Sequence, residues 1–359
     1  MRYALIGCGR ISPNHIVAAK NNHLEIAAVC DVVRKNAEDK ILKFDLDPHK
    51  VKVYEDYQEL LEKEKPELVA IATESGKHAA IALDCIAAGS QVIIEKPIAL
   101  SISDADLIIK AGKEKGVLVC ANHQNRFNKS IQEIRKAIEK NRFGKLLYGT
   151  AHIRWARNRE YYDRAAWRGT WEQDGGALMN QCIHDIDLLR WMLGDEIDTV
   201  YGMTDRLIHP YIEAEDIGLA LVKFKNGSYG VIEGTTNVYP KNLEETLYIF
   251  GEKGTVKAGG EAVNIIENWK FSDYFGDEEE VKKECSENPP NVYGFGHSKL
   301  YKNVVASIEG KEELVVDGEA GKRALELVLA IYKSAAEGKP VKLPLDHCSA
   351  MDFSGRFSE

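Results

Sequence analysis

The run GGALMNQCIHDIDLLRWMLG, Gly175 to Gly194, sets Asn180, His184, Asp187 and Trp191 at i, i+4, i+7 and i+11. On a helix these positions lie above one another on one face. The other flank, Met179, Ile183, Ile186, Leu189 and Leu193, is an apolar stripe that packs inward. A solvated face would favour Lys and Glu and would hold Trp191 poorly, so the polar row is read as facing a cleft. His184 is the member that exchanges a proton near neutral pH. The paired glycines open this helix and Gly194 closes it.

A second group of chemistry-bearing residues opens the chain. GCGRIS, Gly7 to Ser12, follows an apolar strand and leads into a helix. Gly7 permits the tight turn, and Gly9 lets backbone approach a pyrophosphate at the helix N-terminus. Ser12 replaces the usual third glycine with a small residue. Asp31 ends the next strand about 20 residues later, where an acid binds ribose hydroxyls. It would repel a 2′-phosphate, which favours NAD over NADP, although Arg34 and Lys35 lie close by. Glu95-Lys96-Pro97 ends another strand, on the edge where such sheets bind ligands. A lysine there can donate a hydrogen bond to a substrate oxygen.

The elements that carry these residues fall into two patterns. Tyr3–Ile6, Glu25–Cys30, Val51–Tyr54, Leu68–Ala72, Gln91–Ile94 and Val117–Ala121 are short apolar runs alternating with helical stretches. That is a parallel sheet covered on both faces, a doubly wound α/β domain over 1–121. Beyond it, Leu146–Arg154 alternates like a strand. After the Gly175–Gly194 helix come strands at Thr199–Thr204, Gly218–Phe224, Ser228–Gly234, Leu243–Gly251 and Thr255–Ala258. Asn226-Gly227 marks a hairpin. The second half, 122–359, is therefore expected to be an α+β domain with a largely antiparallel open sheet and a late helix over Gly321–Glu337.

Bulk properties narrow the function classes. The 359 residues carry a net charge of -9, which argues against nucleic-acid and anionic membrane surfaces. No run is long enough to span a membrane and no secretory leader is visible. Seven cysteines without C-x-x-C pairing point to reduced thiols and a cytoplasmic protein. The ten histidines form neither H-x-x-x-H nor H-E-x-x-H. A metal on His184 and Asp187 would need more ligands than lie nearby, so none is expected.

Taken in order, GCGRIS, Asp31, EKPIALS, NHQNRFN and GGALMNQCIHDIDLLRWMLG resemble the glucose–fructose oxidoreductase and inositol dehydrogenase family, Gfo/Idh/MocA. The resemblance spans most of the chain. It implies an N-terminal Rossmann domain and a C-terminal domain whose open sheet builds dimers or tetramers. It also implies Lys96 and His184 as the catalytic pair. Many members carry Asp at the position of Asn180; Asn cannot take a proton, so Asn180 is expected to orient substrate, with Asp187 orienting the imidazole. The expected cofactor contacts are Gly7, Gly9, Arg10, Ile11, Ser12, Asp31, Arg34, Thr73, Ser75, His78, Glu95, Lys96, Gln124, Trp167 and Arg168. The expected substrate contacts are Gln124, Arg154, Arg157, Tyr161, Arg168, Asn180 and Asp187.

RWARNREYYDRAAWRGTWEQDGGALMNQ and NPPNVYGFGH resemble one branch of that family, the bacterial dehydrogenases that oxidise C3 of UDP-N-acetylglucosaminuronate for surface-polysaccharide sugars. The first segment holds Arg154, Arg157, Arg159, Arg164 and Arg168 against only Glu160 and Asp163. Arginine forks suit carboxylate and pyrophosphate oxygens. Trp155, Tyr161, Tyr162, Trp167 and Trp171 are placed to cover a sugar or uracil ring or to pack. The alternatives are an interdomain or subunit contact for this segment, a dehydrogenase of free inositols or simple sugars, and a non-catalytic dinucleotide-binding regulator.

Overall fold

The computed structural model describes residues 1–272, 278–287 and 294–358. In chain order the elements are β1 (Arg2–Ile6), α1 (Ser12–Asn21), β2 (Glu25–Cys30), α2 (Arg34–Lys43), β3 (Lys52–Tyr54), α3 (Tyr57–Glu64), β4 (Leu68–Ile71), α4 (His78–Ala87), β5 (Gln91–Ile94), α5 (Ile102–Lys115), β6 (Val119–Ala121), α6 (Lys129–Glu139), β7 (Leu146–Arg154), α7 (Arg159–Asp163), a π turn (Leu178–Cys182), α8 (Ile183–Leu193), β8 (Ile197–Asp205), β9 (Ile217–Phe224), β10 (Tyr229–Thr235), β11 (Glu244–Gly251), β12 (Gly254–Gly259), β13 (Ile265–Phe271), α9 (Glu278–Cys285), α10 (Gly296–Ile308), α11 (Gly318–Glu337) and β14 (Val341–Lys342).

The chain divides into two compact units, but not at a single point. Met1–His123 and His297–Lys322 form one; Gln124–Gly296 and Arg323–Glu359 form the other. The expected second domain, 122–359, therefore loses a segment to the first. The reason lies in α10, whose Leu300, Tyr301 and Val304 are buried, with Tyr301 against Tyr3 of β1 at a ring separation of 5.9 Å.

In the first unit six parallel strands run in the order β3-β2-β1-β4-β5-β6. β4 is buried along its whole length, as a strand covered by helices on both faces must be. Local chemistry sets the helix ends: the Ser101 hydroxyl accepts from Asp104 N–H at 3.0 Å to start α5, and Gly116 at φ +67° closes it. The order reverses between β1 and β4, the place where such sheets bind ligands.

In the second unit eight strands run β13-β12-β11-β7-β10-β9-β8-β14, all antiparallel except the β7–β10 pair. Side chains alternate strictly: in β9, Gly218, Ala220, Val222 and Phe224 are buried while Leu219, Leu221 and Lys223 are exposed. The inward face carries α8. Gly218 and Gly234 stand opposite each other on the β9–β10 ladder. A Cβ on Gly218 would lie 2.5 Å from Leu178, and one on Gly234 2.6 Å from it. The missing side chains are what let the π turn settle on the sheet.

The expected regular helix over Gly175–Gly194 is thus a π turn followed by α8. Strands β13 and β14 and helices α7, α9 and α10 are additions to the expected elements. Of NPPNVYGFGH, residues 288–293 lie outside the described residues.

Candidate functional site

The first unit presents its polar groups at the C-terminal ends of β1, β2, β4 and β5. Gly7 follows β1 at φ +96°, and a Cβ there would sit 2.5 Å from the Ala72 carbonyl carbon and oxygen. Gly9 is exposed, and a Cβ on it would meet nothing within 4 Å. Arg10 is exposed and Ile11 half-buried. The Ser12 hydroxyl donates to the Gly9 carbonyl at 2.7 Å, bracing the turn into α1. Asp31 is oriented by three donors: Cys8 N–H at 2.9 Å, Val33 N–H at 2.9 Å and the Asn36 amide at 3.1 Å. This is a tight glycine turn and a held carboxylate one strand apart, the combination that takes a pyrophosphate and a ribose.

Other expected cofactor residues are more committed. Arg34 reaches its neighbour Glu38 on an exposed helix face at 2.9 Å. Thr73 is half-buried and Ser75 buried. His78 is buried between the Pro97 carbonyl at 2.8 Å and the Thr73 carbonyl at 3.2 Å, and burial lowers its pKa. It ties the loop after β4 to the loop after β5. Lys96, next to that tie, is half-buried.

Glu95 sits inside a polar cluster that the sequence did not single out. His15 Nε2 lies 2.9 Å from Glu95 Oε1, the Asn122 amide donates to the same oxygen, and His297 Nε2 is 3.7 Å away. Tyr301 Oη joins His15 Nδ1, at 2.6 Å, to Tyr3 Oη, at 3.0 Å. Burial opposes ionisation of Glu95, yet the two imidazoles hold its carboxyl well below the usual range. His15, Glu95 and His297 have ligand-type atoms within 4.8 Å of one another, a spacing that hydrogen bonding accounts for. The Lys96 N–H also donates to Glu95 Oε2, at 3.2 Å, so this cluster anchors the lysine's backbone.

In the second unit the polar row divides. From Ala177 to Arg190 only Asn180 and His184 are not buried. The Asn180 amide donates to Asp174, and His184 Nε2 lies 3.4 Å from the Gln124 amide nitrogen. Asp187 is fully buried and accepts from Arg126 at 2.7 Å to each oxygen, with Arg190 at 3.2 Å. Trp191 is covered by the guanidinium groups of Arg126 and Arg135, at 4.7 and 5.0 Å. The expectation that all four face one cleft therefore fails at Asp187 and Trp191. The buried Arg126 and Arg190 have absorbed Asp187, and Arg126 with the half-buried Arg135 has absorbed Trp191.

The arginine segment divides as well. Arg154 was expected to meet substrate, but strand alternation puts it on the outward face of the sheet, opposite the face that carries α8. There Glu233 and Glu244 take both ends of its guanidinium. Arg159 and Arg164 pair with Asp163 and Glu160 on the surface. Arg157 and Arg168 differ. Arg157 donates to the Ala156 carbonyl and the Asn242 amide oxygen, Arg168 to the Tyr161 carbonyl, and the Nε of each is buried without a partner. Both guanidinium groups lie against the Tyr161 ring, at 4.9 and 4.2 Å. Tyr161 Oη accepts from Gln181, beside Asn180. Trp155, Tyr162 and Trp171 are buried and pack; Trp167 is half-buried, with Arg168 at 5.5 Å.

A Rossmann sheet with a held carboxylate after its second strand, followed by an open-sheet domain bearing a histidine on its helix, defines an NAD-dependent dehydrogenase acting on CH–OH groups. The chain belongs to the oxidoreductase family whose NAD-binding Rossmann fold matches residues 1–123 and whose C-terminal alpha/beta domain matches residues 135–343. It is similar to the WlbA dehydrogenase from Bordetella pertussis in complex with NADH and UDP-GlcNAcA, with 39% identity, 96% of this chain and 98% of that chain covered, and a TM-score of 0.90. A second WlbA dehydrogenase, from Chromobacterium violaceum, also in complex with NADH and UDP-GlcNAcA, is 37% identical over 96% of each chain, with a TM-score of 0.88. Myo-inositol 2-dehydrogenase from Thermotoga maritima is 26% identical over 96% of this chain and 98% of its own. Among the described residues no helix is long and apolar enough to cross a membrane.

Proposed function

We propose that the protein oxidises a sugar hydroxyl of a UDP-linked N-acetylated hexuronate, at C3 of UDP-N-acetylglucosaminuronate. The observation that carries this reading is the pair Arg157 and Arg168. Of the five arginines in the segment, these two have no carboxylate ion pair among the described residues, and each keeps a buried Nε–H unsatisfied. A buried donor left unmatched is costly, and an anionic ligand supplies the match. Tyr161 gathers the two, its ring lying against both guanidinium groups. The similarity to two proteins solved with UDP-GlcNAcA supports the same substrate class.

In this reading His184 takes the hydroxyl proton at Nε2 as the carbonyl forms. Lys96 donates a hydrogen bond to the same oxygen, and Asn180, held by Asp174, orients the sugar. NAD, when bound, supplies the hydride acceptor. Asp31 and the Gly7–Gly9 turn hold it, and the acid favours the unphosphorylated ribose. The proton on His184 then passes to solvent, for which the half-buried ring has access.

The test is steady-state kinetics on the UDP-uronate, its neutral UDP-N-acetylglucosamine counterpart and myo-inositol, following NADH. The uronate is expected to lead in kcat/KM by at least about tenfold, the worth of one charge-assisted hydrogen bond. Arg168→Ala should erase most of that lead. Equal turnover of the neutral compounds would remove the argument from Arg157 and Arg168.

A further inference from the structure

The π turn that bears Asn180 and leads to His184 begins on two distant side chains that the proposed reaction leaves without a task. Glu215 lies just ahead of β9 and Tyr332 near the end of α11, and both are fully buried. The Leu178 N–H donates to Glu215 Oε1 at 2.7 Å. The Met179 N–H donates to Tyr332 Oη at 3.3 Å, and the same Oη lies 2.9 Å from the Gly175 carbonyl oxygen. Gly175 and Met179 stand at i and i+4, the partners of an ordinary α-helical bond. The phenol occupies the place of that bond, so an inserted hydroxyl opens the ladder. One residue on, the ladder resumes, with the Asn180 N–H on the Gly176 carbonyl at 2.9 Å. A Cβ on Gly176 would overlap Glu215 Oε2 and lie 2.7 Å from Tyr332 Oη, so the backbone here rests directly on the pair.

Counting hydrogens fixes the state of Glu215. Tyr332 Oη is 2.7 Å from Glu215 Oε1 as well as 2.9 Å from the Gly175 carbonyl oxygen. Each of these contacts needs a hydrogen; a phenol has one and a carbonyl has none. The second hydrogen must come from the Glu215 carboxyl. Glu215 then donates to Tyr332, Tyr332 donates to Gly175, and Oε1 keeps a lone pair for the Leu178 N–H. When Glu215 gives up its proton to solvent, Tyr332 turns its O–H to the carboxylate and the Gly175 carbonyl loses that donor.

Resting on the assignment of Asn180 and His184 to the reaction, we infer that protonated Glu215 and Tyr332 form a relay that holds this turn open and so positions Asn180 and His184 for the sugar. Both are positioning residues. Burial, and after it the Asp174 carboxyl that also holds the Asn180 amide, raises Glu215 to about 8. The relay is therefore intact at neutral pH and fails as pH rises through that value. The other titratable and charged groups facing Glu215 are Tyr332, Cys182, Tyr162 and Arg356. Burial pushes both phenols and the thiol up, so they stay neutral through this range, while the Arg356 cation favours the ionised carboxylate.

Three readings test the inference on the full chain. Infrared difference spectra, wild type minus Glu215→Gln, should show a protonated carboxyl band at about pH 7 that is gone by about pH 9.5. A crystal structure of Tyr332→Phe at neutral pH reads the positioning without any substrate. With the hydroxyl gone, the Met179 N–H is expected to close on the Gly175 carbonyl and to draw Asn180 away from Asp174. The third reading is kcat on the UDP-uronate. Glu215→Gln offers its carbonyl to Leu178 and has no hydrogen for Tyr332 at that atom, so it keeps the alkaline arrangement at every pH. Wild type should exceed it by about fivefold at about pH 7, the worth of one hydrogen bond, and the ratio should fall to one or below above about pH 9. A merely structural role would give a ratio constant with pH. Should Glu215→Gln not fold, the Tyr332→Phe structure decides alone. No carboxyl band, a turn left unmoved in Tyr332→Phe, or a constant ratio overturns the inference. Failure of the proposed reaction appears elsewhere, as absence of turnover on the UDP-uronate, and leaves the first two readings in force.

Discussion

At the scale of single residues, the proposed reaction asks two side chains to move or hold a proton, and their surroundings differ. Lys96 is held by a backbone that Glu95 and His78 tie down, and His184 is one of two unburied residues along Ala177–Arg190. Lys96→Ala and His184→Ala are each expected to lower kcat by about 10²–10⁴-fold with NAD affinity little changed. Steady-state rates and calorimetry with NAD check this, and near-normal turnover in either variant would remove that residue from the chemistry. The turn at Gly7 and the placing of Asp31 just after β2 were legible in sequence because they depend on backbone conformation and on the distance along one strand–helix–strand unit. Arg154 and Asp187 were not. Their types suited the chemistry, but Glu233, Glu244, Arg126 and Arg190, distant in sequence, had already claimed them.

At the scale of elements, the second unit depends on how closely the π turn approaches its sheet. A π turn stores an extra residue in the helix and shifts the side chains that follow, a device common at functional sites. Here it leaves Asn180 and His184 unburied together while Met179, Cys182 and Ile183 go inward. Periodicity read from sequence assumes a regular helix, so it found the segment and its ends but aligned four residues where the structure aligns two. The strands were legible from alternation, and the Rossmann half from its apolar runs. The return of His297–Lys322 to the first unit was not, since it follows from burial of Tyr301 against Tyr3 and His15 rather than from any boundary signal. Gly218 tests the close approach. Gly218→Ala would press a methyl to within 2.5 Å of Leu178. Overpacking of this kind costs about 1–3 kcal/mol. The variant should lose thermal stability and, because Leu178 opens the π turn, lose kcat more than NAD affinity. A stable, fully active Gly218→Ala protein would mean the turn tolerates displacement.

At the scale of the whole molecule, stability and assembly follow from what is buried and what is left bare. Glu215 is fully buried; burial pushes its carboxyl up to about 8, against hydrogen bonds from Leu178 N–H and Tyr332 Oη–H, both 2.7 Å. Its folded value lies above the unfolded one. The stabilisation is therefore complete below the ordinary carboxyl range and is lost as pH rises through about 8. Asp216 is held down to about 2 despite burial, by His209, Asn237 and backbone donors, and contributes nothing in that window. The unfolding temperature should fall from neutral pH to about pH 9, and Glu215→Gln should flatten that fall; an unchanged slope would place the effect elsewhere. The outward face of the second unit's sheet raises a different question. On β8 and β9, Tyr201 stands opposite Leu221 and Met203 opposite Leu219, all exposed, with Tyr229 exposed on β10. Met203 and Leu221 are 63% and 59% exposed, on adjacent strands of the eight-stranded sheet. A contiguous apolar face of this kind is costly in water and is characteristically covered by a partner. We propose that a second copy of the chain applies the same face about a two-fold axis; a stable complex of that kind would bury about 800 Å² per subunit or more. Sedimentation at micromolar concentration should show a homodimer or a tetramer built from it. Leu221→Asp combined with Met203→Asp should yield a folded monomer, because each charge would be buried without a partner at the interface. A monomeric wild-type protein, or an assembly indifferent to both substitutions, would show that this face is not where the subunits meet.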